Sequence, residues 1–203
     1  MTTKIIDFSI DPEAVKARVA KNNAKFRKLT KAQKRVAIAK DVLLQLKARR
    51  INARTGQYLW AKGTPDPYGY YNTASTVLTA QSCNACALGA LFCGLLDNTE
   101  DHPGHVVTVD IRNTLAPYFS SRQLGDIESA FEGGDGFGGS RTAHLHFQAQ
   151  AYADGYVGIN FFPKWENDED RLRAIMNNII RNKGKFVTRK VKVLKDKPVR
   201  TEW

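Results

Sequence analysis

The amino-acid sequence predicts an α+β fold: a single domain with a buried central helix, amphipathic helices and a small antiparallel sheet. One ground is the run Gln81–Asp97, QSCNACALGALFCGLLD, which carries no charge from Cys86 to Leu96. Wound as a helix it is apolar on every side, and such a helix belongs inside a core. A second ground is the set of segments around it, at 31–49, 121–132 and 168–183, whose apolar residues recur at helical spacing. A third is a few short alternating or β-branched runs bounded by turn residues, which suit strands. With 203 residues, 42% apolar and 25% charged, the chain is long enough to bury one core. The expected organisation is a basic N-terminal helical arm at 1–29, a globular α+β domain at 30–185 and a basic tail at 186–203.

In chain order, Asp11-Pro12-Glu13 starts a helix: a capping Asp, Pro at the first helical position, then an acid at the positive end of the dipole. Its apolar stripe, Val15, Val19 and Phe26, is thin, so this arm is expected to order on a partner. Thr30 with Gln33 forms a capping box, and the next helix carries Val36, Ala39, Leu43 and Leu46 on one face with Ile38 and Val42 beside them. Lys47, Arg49 and Arg50 end it, where cations suit the dipole. Residues 51–60 read as a strand pair about Thr55-Gly56. A Pro/Gly-punctuated loop with Tyr68, Tyr70 and Tyr71 follows; the tyrosines stack on bases, fill a partner pocket or pack the loop onto its own domain.

The central helix is placed at 83–96, about 14 residues against the roughly 20 that span a bilayer. Residues 106–111 are β-branched and predict a strand. Ser120 and Gln123 offer a second capping box, ahead of a helix at 121–132 with Leu124, Ile127 and Phe131 inward and Gly133-Gly134 ending it. Residues 144–152 alternate and 156–162 return after Asp154-Gly155, a hairpin with one polar face. Asn167 caps the last helix, whose first turn is Asp168-Glu169-Asp170 and whose apolar face is Leu172, Ile175, Met176, Ile179 and Ile180; Gly184 ends it. Around Val187, Val191 and Val193 the tail alternates, as an edge strand guarded by lysines or an arm laid along phosphates.

Charge is unevenly spread. Net charge is +11, yet residues 1–62 hold 16 Lys/Arg against 4 Asp/Glu, residues 63–170 hold 4 against 14, and residues 171–203 hold 11 against 2. Two basic ends around an acidic middle imply an anionic partner such as nucleic acid or a nucleoprotein complex. Lys21, Lys25, Arg27, Lys28, Arg189, Lys190, Lys192 and Lys195 are the candidate contacts. The rival reading folds the basic ends onto the acidic middle of the same chain or of a neighbouring copy, as in a homo-oligomer or structural assembly component. No apolar run reaches membrane length, the first residues lack the pattern of a secretory signal, and three crowded cysteines are no disulfide framework. A cytoplasmic protein without a membrane partner is expected.

Three constellations bear on catalysis or metal binding. Gln81 and Cys86, then His144 or His146, then Asn160, follow the order of a papain-like cysteine hydrolase, with Cys86 activated at a helix N-terminus. Against that reading, the residues flanking Cys86 are Ala85 and Ala87, where the papain-like motif has a serine and an aromatic. Cys83 and Cys86 with His144 and His146 would make a zinc site, and His102 and His105 lie among loop carboxylates. Gly134, Gly136 and Gly139 match G-x-G-x-x-G, but a helix precedes and a strand follows, the reverse of a dinucleotide fold. The leading account of the cysteines is core packing, with no cofactor.

Gly56-Gln-Tyr58-Leu59, Cys86-Ala-Leu-Gly-Ala-Leu91, the segment Phe119–Phe131 (FSSRQLGDIESAF) and Trp165-Glu-Asn-Asp168 resemble segments of uncharacterised small proteins of bacteria and their phages. The resemblance covers about residues 33–186 and leaves out both basic ends. It implies a phage or bacterial accessory protein and carries over no catalytic residue. A non-enzymatic accessory role through basic terminal arms is therefore the expectation, with the cysteine hydrolase as its alternative.

Overall fold

The computed structural model describes residues 11–62, 73–100, 108–132 and 167–187. Among them are seven helices and three short strands: α1 (Pro12–Phe26), α2 (Lys31–Lys47), β1 (Ile51–Ala53), β2 (Leu59–Ala61), α3 (Ala74–Thr79), β3 (Cys83–Ala85), α4 (Ala87–Leu96), α5 (Thr108–Leu115), α6 (Ser121–Glu132) and α7 (Asp168–Arg181). The α+β class stands, with helices packed about one small sheet. No helix among the described residues is long and apolar enough to cross a membrane.

Every residue of α4 is buried. Helices α2, α5 and α6 surround it, α3 and the sheet cover its start, and α7 packs on α2 and α6 behind it. Backbone approaches side chain-free positions at both ends of α4. A Cβ at Gly89 would lie 1.7 Å from the Tyr58 carbonyl oxygen, and one at Gly94 would lie 2.8 Å from that of Ile38. These glycines let the helix sit against the backbone at Tyr58, just before β2, and against α2.

Capping chemistry sets several boundaries. Asp11 accepts from Ala14 N–H at 2.9 Å, Thr30 and Gln33 complete the capping box, Ser120 Oγ accepts from Gln123 N–H at 3.2 Å, and Asn167 Oδ1 accepts from Asp170 N–H at 2.9 Å. Helices α2 and α7 close in Schellman turns. Arg50 N–H reaches Gln45 O and Gly184 N–H reaches Ile179 O, while Arg49 and Lys183 take left-handed φ of 57° and 51°. The buried side of α2 is Ile38, Ala39, Val42, Gln45 and Leu46, turned from the predicted face so that Val36 and Leu43 are only partly covered.

The sheet departs from expectation. Its order is β1-β3-β2, with β1 parallel and β2 antiparallel to β3, so it is mixed, and the predicted strand pair has a third strand inserted between its members. Residues 83–85, expected as helix, are that central strand, and α4 begins only at Ala87. Two strands of three residues each leave inner edges whose N–H and C=O groups need partners, and a third strand supplies both sets. Cys83 N–H goes to Arg50 O at 2.7 Å, and Lys62 N–H goes to Ser82 O at 2.8 Å.

The predicted strand at 106–111 is a second correction, since helix α5 runs from Thr108. Ile111 and Leu115, four apart, are both buried, and that shared face outweighs β-branched propensity. The stripe of α1 proves deeper than it reads. Val15, Val19 and Phe26 are 3–4% exposed and join the core, with Phe26 tilted against Tyr118 at 5.6 Å between ring centres. This helix is packed into the core, where the thin stripe suggested a loose arm.

Two glycine substitutions separate these constraints. Gly89→Ala drives a methyl into the Tyr58 carbonyl and should cost about 3 kcal/mol or more by urea unfolding. In Gly125→Ala the new methyl meets nothing within 4 Å inside α6, so stability should rise by up to about 1 kcal/mol. Equal effects from both would contradict the packing described.

Candidate nucleic-acid interface

The six cations between Lys16 and Lys28 divide into one that is used inside the protein and five that are not. Arg18 turns inward: its Nη2 donates to Asp97 Oδ1 at 2.9 Å. Lys16, Lys21, Lys25, Arg27 and Lys28 are exposed, and none of them pairs with a carboxylate among the described residues. At 100° per residue Lys21 and Lys25 share one stripe of α1, with exposed Ala17, Ala20 and Ala24 separating it from Lys16, and exposed Arg27 and Lys28 follow in the turn after the helix. The outer face of α1 is thus small side chains between cations.

What holds that face in place is a buried polar cluster at the end of α4. Asp97 is 1% exposed and sits at the helix C-cap, where the dipole disfavours an anion. Arg18 binds one carboxylate oxygen; Gln45 Nε2 donates to the other at 3.2 Å, and Arg50 Nη1 stands 4.0 Å from it. Asn22 Nδ2 donates to Asp97 O at 2.9 Å, and buried Asn23 donates to Glu100 at 2.6 Å. Burial, and then the charge of Asp97, raise the Asp41 carboxyl well above the usual carboxylate range, while Gln45 donates to it at 2.6 Å. Arg50 is fixed further by donating to Leu78 O and Ala80 O.

A second polar cluster lies at the other end of α4, where Glu128 accepts from Tyr58 Oη and from Arg112. Burial and then the Glu128 bond push the Tyr58 hydroxyl up to about 12. Glu132 accepts from Gly56 N–H at 2.8 Å and Asp168 from Thr55 N–H at 2.9 Å, so two carboxylates clasp the β1–β2 turn. Burial raises Glu132 above its ordinary range.

No protein-family model, curated protein or solved structure matches the chain.

Of the predicted catalytic set, Gln81 is exposed and Cys86 is 2% exposed; His144, His146 and Asn160 lie outside the described residues. Cys86 does cap α4, as the hydrolase reading requires, yet burial pushes its thiol up to about 12. Desolvation outweighs the amides of Leu88 and Gly89 that favour the thiolate. The predicted helix at 83–96 would have carried all three cysteines, but Cys83 lies on β3, Cys86 at the N-cap of α4 and Cys93 within it. Its sulfur accepts from the Cys93 thiol, which holds Cys83 below and Cys93 above the usual thiol range. All three cysteines are free and buried. Among the described residues no group of three or more His, Cys, Asp and Glu stands close enough to hold a metal ion.

Of the cationic candidates, Lys21 and Lys25 lie on α1 and Arg27 and Lys28 in the turn that closes it, all four exposed; Arg189, Lys190, Lys192 and Lys195 fall outside the described residues. So do Tyr68, Tyr70, Tyr71, His102, His105 and the glycines of the G-x-G-x-x-G match. Sequence reading missed the roles of Arg18, Arg50 and Asp97. The available signal was Asp97 itself, the first charge after a long uncharged run.

Two measurements follow. Asp97→Asn leaves Arg18 and Arg50 facing a neutral group and should cost about 3 kcal/mol or more by urea unfolding; a loss below about 1 kcal/mol would show that the carboxylate does not hold the cluster. Cys86 has a higher pKa folded than unfolded, so its contribution is full below pH 9 and is lost as pH rises towards about 12, by roughly 1.4 kcal/mol per pH unit. Cys93 and Tyr58 add in the same direction. Unfolding free energy should therefore fall steeply in alkali, less steeply in Cys86→Ala; identical slopes would refute the burial of this thiol.

Proposed function

We propose that this chain is a non-enzymatic accessory protein, of the phage or bacterial kind its motifs resemble, that binds nucleic acid or a nucleoprotein complex. The carrying observation is the exposed stripe of Lys21 and Lys25 on α1, continued by exposed Arg27 and Lys28 in the turn that closes this helix, which is anchored through Asp97. Phosphate contacts need cations whose charge is not already neutralised, and among the described residues Arg18 alone of this helix is spent on a carboxylate. A helix fixed beforehand loses little conformational freedom on binding. Small alanines between the cations allow the helix axis to approach a phosphate backbone closely. Arg189, Lys190, Lys192 and Lys195 add positive charge from the C-terminal end. In this reading the protein acts in the cytoplasm, the host's if phage-encoded. The sealed, protonated Cys86 favours binding over the hydrolase alternative.

The test is affinity for random-sequence duplex and single-stranded nucleic acid across a salt series. Log affinity should fall linearly with log salt, and Lys21→Glu/Lys25→Glu/Lys28→Glu should weaken binding tenfold or more and flatten the slope by about three. A salt-independent response, or a triple variant that binds like the parent, would sink the reading.

A further inference from the structure

The end of α7 lies on the start of α2, and two basic segments far apart in the chain meet there. A Cβ at Gly184 would stand 2.4 Å from the Ala32 carbonyl oxygen and 3.2 Å from Ala32 Cα. Only a residue without a side chain, here also at a left-handed φ of 88°, permits that approach. Chain geometry then puts the Cα atoms of Lys183 and Lys185 within roughly 12 Å of that of Lys31. The segment after α7 is fixed in place: Gly184 and Phe186 are buried, and Asn178 both donates to Val187 O and accepts from Val187 N–H, each at 2.9 Å. Between those anchors Lys183 and Lys185 are exposed. Across the junction Phe26 is buried and Leu29 packs against the core, while Arg27, Lys28 and Lys31 are exposed.

The chain has no Asp or Glu from residue 14 to 40 or from 171 to 187, and none of these five cations pairs with a carboxylate among the described residues. Their spacing is of the order of a Debye length at physiological salt, so they repel one another. Lys31 is also the first residue of α2, where the dipole disfavours a cation. A local conflict that gains nothing inside the fold is expected where a ligand supplies the gain, and here an anion would. The identity of that anion follows from what the patch lacks. The aromatic rings of the two segments, Phe26 and Phe186, are buried, which leaves no ring on which an unpaired base could stack. A duplex keeps its bases stacked on one another and presents one phosphate charge per roughly 1.7 Å of axis. Contacts to that backbone position a protein without reading sequence.

We propose that Arg27, Lys28, Lys31, Lys183 and Lys185 form one phosphate-binding patch for double-stranded nucleic acid, bound without regard to sequence. The inference rests on the reading that this protein binds nucleic acid. It extends the contact surface from α1 to the start of α2 and the end of α7, and it narrows the ligand to the duplex.

The full chain is titrated with two DNA duplexes of unrelated sequence and with one strand of each, over a salt series. The duplexes should bind alike, and more tightly than the single strands. Lys31→Glu/Lys183→Glu/Lys185→Glu, which spares α1, should weaken duplex binding about tenfold or more and flatten its salt slope by about three. Lys47→Glu/Arg49→Glu/Arg54→Glu changes net charge equally at exposed positions, the first of them roughly 24 Å along α2 from Lys31. Its loss should stay below about threefold. Circular dichroism checks that each variant is folded; if the patch variant is not, Lys31→Glu alone, which suits the dipole, carries the test with a salt slope lower by about one. Equal losses in the two triple variants would reduce the effect to net charge and overturn the patch. A patch variant that binds like the parent, while Lys21→Glu/Lys25→Glu loses affinity, would overturn it and leave the α1 reading standing. Tighter binding of the single strands would overturn the duplex assignment. No binding of either form at low salt would overturn both readings.

Discussion

A carboxylate buried at the end of an uncharged helix is the constraint on which the rest of this molecule turns. Asp97 sits where the α4 dipole is negative and where water is excluded, two costs that an isolated side chain does not survive. Arg18 and Arg50, with Gln45, offset them. Those partners come from α1, α2 and the turn into β1, so neutralising one charge fixes the positions of three elements around the fourth. The exposed cations of α1 inherit their fixed placement from a contact on the helix's opposite side.

The parts of this fold that were legible in the sequence are those decided within one turn or one helix face. Asp11, Thr30, Ser120 and Asn167 cap the helices expected of them, and Leu124, Ile127 and Phe131 of α6 are buried as their spacing implies. What was not legible depends on residues far apart in the chain. Arg18 and Asp97 are 79 positions apart, and no local pattern announces their pairing. The strand at 83–85 was hidden because its cysteine and alanine extend the apolar run of α4, and only the two waiting strand edges draw it out of the helix. At 108–111 β-branched residues favour a strand, but Ile111 and Leu115 find a common surface on α4 as a helix.

The cysteines show one sequence signal with two opposed physical consequences. A thiol at a helix start is activated by backbone amides when water reaches it, and silenced when water does not. Cys86 meets the first condition in geometry and the second in environment, and burial wins. For the cationic candidates the balance goes the other way. Of the eight, Lys21 and Lys25 on α1 and Arg27 and Lys28 in the turn after it are at the surface.

The insertion of β3 between β1 and β2 reaches beyond the native state. Ile51 pairs with Cys83 and Leu59 with Ala85, so no rung of this ladder joins near neighbours in the chain. A turn at Thr55-Gly56 cannot zip the first two strands together. As the polypeptide lengthens during synthesis, both strands are complete while the slot between them still awaits a segment more than twenty residues away. Closing that distance costs chain entropy before any bond repays it. The sheet therefore carries a larger closure entropy than a two-stranded hairpin of the same strand length would.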